Sequence, residues 1–128
     1  TEAFGENPEL AEIWDKHPQD FAPEGGEPMN DAYERIWRTI KEIAADNCGK
    51  TVACASHGGV IRCLLCRLLY GDISHLAEMG WSDNTAVTLL RFSGEEKPEL
   101  VFYNDASHLP PELIPKRSRL SSFIGTEK

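Results

Sequence analysis

The stretch Thr51-Val-Ala-Cys-Ala-Ser-His-Gly-Gly59 constrains this chain more than any other. β-branched residues at Thr51 and Val52, followed by small apolar ones, predict a short strand over 51–56 buried on both faces. Ser56, His57, Gly58 and Gly59 come next, and an apolar helical pattern begins at once with Val60 and Ile61. A titratable imidazole therefore falls at the carboxyl end of a strand and the mouth of a helix. Open α/β sheets bind ligands at that place. The unpaired N–H groups and partial positive charge of a helix start suit an anion, phosphate above all. The two glycines leave room for close approach to the backbone. The same pattern also fits a histidine that only caps the helix or turns the chain, and local spacing does not choose between the two.

The length of 128 residues suits a single domain over 1–128 with a modest core. A formal net charge of −8 argues against nucleic-acid or anionic-membrane partners, because both are negative. The longest apolar run, 63–70, is interrupted by Arg67, so no transmembrane helix is predicted. No signal-peptide pattern is present, and Thr1 in place of Met implies an incomplete or processed chain. Cys54 in the strand and Cys63 and Cys66 in a Leu-rich helix read as small buried hydrophobes rather than a zinc or redox pair. That usage fits a reducing cytoplasm. His17, His75 and His108 are scattered through polar loops without ligand spacing, so neither metal nor cofactor is expected.

In chain order, an amphipathic helix is predicted over 8–16, with Asn7 as its cap, Pro8 in its first turn and Pro18 beyond its end. The Gly- and Pro-rich stretch 21–28 is a loop, either a connector or a lid. A longer helix follows to about Asp46, capped by Asn30, with Tyr33, Ile36, Trp37, Ile40 and Ile43 on its apolar face and Glu34 paired to Arg38. The mostly apolar helix 60–69 is predicted to be buried. Arg62 in its first turn points towards the pocket of His57 or snorkels along the surface, as does Arg67. A short helical turn is expected over 74–79. The segments 85–92 and 98–103, joined by a tight turn at Gly94, predict an antiparallel hairpin at a sheet edge.

Ser56-His57-Gly58-Gly59-Val60-Ile61-Arg62, between a small apolar strand and a Leu-rich helix, resembles the second histidine motif of the histidine phosphatase superfamily, the phosphoglycerate-mutase-like group. Gly25-Gly26-Glu27 with Asp31 and Arg35 resembles that family's preceding loop and helix. Asn84-Thr85-Ala86-Val87-Thr88 resembles its Asn-plus-strand segment, and Asn104-Asp105-Ala-Ser-His108-Leu109 its closing loop. The likeness spans roughly residues 21–109 and is specific in combination. It implies an α/β chain forming part of a three-layer α/β/α fold, with a mixed, mostly parallel sheet and an antiparallel edge strand. It also implies phosphoryl transfer through a phosphohistidine, with His57 as the second pocket histidine and Ser56, Gly58, Asn84 and Arg62 lining the phosphate site. The partner is then a small phosphorylated substrate or phosphate.

The departures are as specific. The family's nucleophile lies in an Arg-His-Gly motif, and no Arg-His-Gly occurs in this sequence. A further pocket arginine is missing as well. Thr1-Glu2-Ala3-Phe4-Gly5 resembles the tail of the segment carrying the general acid, which makes Glu2 the candidate acid, one residue out of register. Pro28 stands where the family has a small hydroxyl residue. The chain thus reads as the carboxyl-terminal portion of a phosphatase or, alternatively, a mutase, inactive by itself. It is expected to associate with an amino-terminal segment or to form a homodimer across the open position beside 51–56. Two other readings stand: a non-catalytic domain of the same fold that binds a phospho-ligand or protein, and an unrelated α/β domain in which His57 is a cap.

Overall fold

The computed structural model describes residues 7–94 and 97–114. Helix α1, Pro8–Lys16, forms as its caps require: Leu10 N–H donates to Asn7 Oδ1 at 3.2 Å, and Pro8 occupies the first turn, where a missing N–H costs nothing. A 3-10 turn, Pro18–Asp20, ends it.

The loop 21–28 folds back on helix α2, Met29–Asp46. Gly25, at φ 69°, makes the sharp turn closed by Gly26 N–H donating to Pro23 O at 3.0 Å. Glu27 then takes a two-pronged bond from Arg35, at 2.7 and 2.6 Å. Asn30 is not the cap of α2. Met29 N–H donates to Phe21 O at 2.8 Å, which draws the helix start back to Met29 with Pro28 as the cap residue. Asn30 sits inside the first turn and its amide donates to Gln19 O at 3.3 Å. A tertiary contact has overridden the local capping preference.

Helix α3, Gly58–Leu69, is the buried helix. Cys63, Leu65 and Cys66 pack against Tyr33 and Ile36 of α2 and against Leu76 and Met79. Leu76 belongs to a second 3-10 helix, Ile73–Glu78, and Met79 caps its end. Glu34 pairs with Arg67 of α3 at 2.6 Å rather than with Arg38. Arg67 lies over the rings of Tyr33 at 5.1 Å and Trp37 at 5.7 Å, so it arrives pre-ordered, whereas a neighbour on the same helix would need ordering from solvent. Burial raises the Cys63 thiol's pKa and pushes that of Cys66 up to about 11, which keeps both protonated and inert.

Strands β1, Val87–Arg91, and β2, Glu99–Asp105, form the antiparallel hairpin. Leu89 faces Phe102, Leu90 faces Leu100, and Arg91 faces Glu99 with a 2.8 Å ion pair. Leu100 and Tyr103 reach the helical core. The chain is therefore a mixed α/β structure with helices and a small antiparallel sheet. Among the described residues no helix is long and apolar enough to cross a membrane.

The strand expected over 51–56 is corrected. Residues 51–57 carry no regular secondary structure and are exposed throughout, Val52 at 46% and Cys54 included. A strand is defined by a neighbour that completes its ladder. Among the described residues β1 and β2 are the only paired strands, so nothing supplies that neighbour here.

Candidate functional site

His57 is the N-cap residue of α3, with extended backbone angles (φ −98°, ψ 153°) and no side-chain capping bond. Its carbonyl accepts the Ile61 N–H at 3.1 Å. The N–H groups of Gly58, Gly59 and Val60 lie ahead of that bond, so no carbonyl of the helix answers them. The imidazole is exposed and belongs to a surface that anions can reach. A histidine whose only work was capping would bond to one of those amides, and this one does not.

The glycines act differently from one another. A Cβ at Gly58 would lie 3.3 Å from Cε3 of Trp81, so residue 58 must be small for the ring to sit where it does. A Cβ at Gly59 would meet nothing within 4 Å. Trp81 therefore brings the loop after the second 3-10 helix onto the N-terminus of α3. Trp14 backs it at 6.1 Å, and Phe21 packs edge-on against Trp14 at 4.8 Å.

Asn84 lies three residues beyond Trp81, exposed, in a turn closed by Ala86 N–H donating to Asp83 O at 3.2 Å. Thr85 holds φ 64° in that turn, a conformation strained for a β-branched residue. Asn104 of β2 braces it. Its Oδ1 accepts the Asp83 N–H at 2.7 Å and its amide donates to Asp83 Oδ2 at 2.9 Å. The Asn104 backbone N–H donates to Thr88 Oγ1 at 3.3 Å. The loop carrying Asn84 is thus fixed from both sides.

Arg62 is placed differently from the expectation of a phosphate-facing side chain. It is 7% exposed. Nε donates to Met79 O at 2.9 Å and Nη2 to Leu76 O at 2.7 Å, and the guanidinium lies 4.9 Å from the centroid of the Trp81 ring. Its donors face the carbonyl end of the second 3-10 helix, where Leu76 O also accepts the Met79 N–H at 3.2 Å. Burial lowers its pKa somewhat below the ordinary arginine value.

Ser56 is exposed beside His57, and Glu2 lies outside the described residues. The structure thus brings Trp81 against Gly58, next to His57, with Arg62 against the same ring, and among the described residues shows no contact that brings Asn84 to His57. Trp81 and Asn104 carry much of this geometry; the sequence marks Asn104 only as the start of a closing loop and gives Trp81 no part. The signal for Trp81 was a large aromatic in a polar loop, which becomes informative only beside a glycine it touches. Among the described residues no three His, Cys, Asp or Glu side chains gather into a group able to hold a metal.

The family model of the histidine phosphatase superfamily (branch 1) matches residues 1–106. Phosphoserine phosphatase 1 of Hydrogenobacter thermophilus is 26% identical over 110 residues, 78% of this chain and 51% of that protein. The solved structure of Bacillus stearothermophilus YhfR superposes with a TM-score of 0.75 at 24% identity, over 84% of this chain and 52% of that one, a likeness of fold. The chain spans about half the length of these relatives. With a match that takes in the His57 helix, the Trp81 loop and both strands of the hairpin, the chain belongs to the histidine phosphatase superfamily, branch 1.

Proposed function

We propose that this chain contributes to a phosphomonoesterase, with His57 as the second histidine of the phosphate pocket. The observation that carries the reading is the exposed imidazole at the uncapped N-terminus of α3, in a chain whose family match covers that segment. N–H donors at a helix start and on a pocket histidine offset charge on phosphoryl oxygens where it develops in the transition state. In this reading Ser56, Gly58 and Asn84 serve as further phosphate-side residues. The curated relative named a phosphatase favours hydrolysis over a mutase reaction.

The nucleophile is supplied from outside these residues, since the sequence holds no Arg-His-Gly. In the complete pocket a histidine attacks phosphorus, the ester oxygen departs with a proton from a general acid, and water then releases phosphate from the phosphohistidine. The 128-residue chain is accordingly expected to bind phosphate without turnover. A second copy or an amino-terminal segment seated against residues 51–57 is the partner this reading calls for, in a cytoplasmic protein.

The test is a titration of the chain with inorganic phosphate and orthovanadate, followed by the His57 ring resonances and the Gly58 and Gly59 amides. Saturable shifts confined to these groups, lost in His57→Ala, are expected. Shifts that persist in His57→Ala, or their absence in the unaltered chain, would refute the reading. Burst labelling of the chain by a phosphate ester would refute the placement of the nucleophile elsewhere.

A further inference from the structure

We propose that Arg62 is a positioning residue of the His57 site: from within the fold it clamps Trp81 against Gly58 at the N-terminus of α3. The proposal rests on the reading of His57 as a phosphate-pocket residue, and it gives Arg62 a part other than contact with phosphate.

A buried guanidinium is an expensive way to fill space. At 7% exposure Arg62 has no carboxylate within ion-pair distance among the described residues. An apolar side chain could fill the same volume without desolvating a charge. What such a side chain could not do is bind two carbonyls at once. Leu76 O and Met79 O lie three residues apart at the end of a 3-10 helix, and the planar fork takes both. Fixing Met79 O fixes the chain two residues before Trp81. The guanidinium face then meets the indole ring at 4.9 Å, so the same group sets the ring's position twice.

The far edge of the ring completes the relay. A Cβ at residue 58 would press on its Cε3 atom at 3.3 Å, so glycine lets the ring lie closest there, and Gly58 adjoins His57. The contacts therefore run without a gap from the two carbonyls through Arg62 and Trp81 to the backbone that presents the helix N–H groups. Trp14 also packs near the ring, with centroids 6.1 Å apart. Loss of the clamp lets the ring move off Gly58, while the Asn84 turn stays braced by Asn104. Small displacements of this kind are costly to a site that depends on aligned donors.

Three variants of the chain test this: Arg62→Met, Arg62→Lys and Trp81→Leu. The first readout needs no ligand. Ring-current shift at the Gly58 amide and Hα protons reports the indole directly, and it should vanish in Trp81→Leu, collapse in Arg62→Met and survive in part in Arg62→Lys. The second readout is affinity for inorganic phosphate at the Gly58 and Gly59 amides, which should weaken about tenfold to a hundredfold in Arg62→Met and Trp81→Leu. Thermal midpoints are recorded alongside. Folded variants that lose stability but bind phosphate as before would overturn the proposal, because they would make Arg62 a structural residue alone. Weak binding in Arg62→Met with full binding in Trp81→Leu would also overturn it, in favour of direct phosphate contact. Should the unaltered chain bind no phosphate, the phosphatase reading fails, and the ring-current result decides the clamp: an unmoved Gly58 signal in folded Arg62→Met rejects it. Should Arg62→Met not fold, Arg62→Lys and Trp81→Leu decide by the same two readouts.

Discussion

Two stretches of this chain are expected from sequence to be buried and meet opposite fates. Helix α3 carries Cys63, Leu65, Cys66 and Leu68 into the core, with Leu65 and Cys66 at 0% exposure. Residues 51–57, immediately before it, lie fully on the surface. The difference is one of self-sufficiency. A helix completes its hydrogen bonds within itself and needs only one packed face, which α2 and the second 3-10 helix provide. A strand completes its hydrogen bonds only with a neighbour, and burial of both its faces needs layers on each side. Apolar composition is therefore a demand for burial, and the architecture decides whether it is met.

The largest effect that separates the two regions is core truncation. Leu65→Ala should cost about 2–5 kcal/mol in urea unfolding, since the site is sealed on every side. Val52→Ala, at 46% exposure, should stay within about 0.5 kcal/mol. A large cost at Val52 would mean that the surface around it is covered in solution.

Thiol reactivity sharpens the contrast without touching the fold. Cys48 and Cys54 should react at once with a thiol reagent under native conditions, and Cys63 and Cys66 only on unfolding. Slow reaction at Cys54 that quickens on dilution would reveal a second copy seated on 51–57.

The core should also show itself at high pH. The Cys66 thiol has its pKa raised from 9.0 to about 11 in the fold, so above pH 9 the unfolded chain releases a proton that the native chain keeps. Its contribution is fully present below pH 9 and is lost as pH rises towards 11. Cys66→Ala should flatten that decline in a series of urea midpoints.

The smallest effects belong to surface devices. Arg67→Ala removes an ion pair to Glu34 and contact with two rings, and should cost about 1 kcal/mol. Asn7→Ala should cost about 1 kcal/mol through the lost cap of α1. Both are measurable as shifts in the thermal midpoint. An Arg67 effect equal to that of Leu65 would mean that the α2–α3 seam depends on charge rather than on packing.

What the sequence by itself determined was whatever local rules can complete. The bounds of α1 followed from Asn7, Pro8 and Pro18, the burial of α3 from its apolar run, and the hairpin from two alternating segments around a tight turn. The residues of the His57 motif were legible as a group because they are contiguous. Tertiary structure decided what depends on distant partners. Phe21 O moved the start of α2 past Asn30, Arg67 drew Glu34 away from Arg38, and the end of a 3-10 helix turned Arg62 inward. The segment 51–57 is the plainest case. Its pairing depends on residues far away in the chain or on another chain, and no property of Thr51 to Ser56 can supply them, because strand hydrogen bonds are made between segments rather than within one.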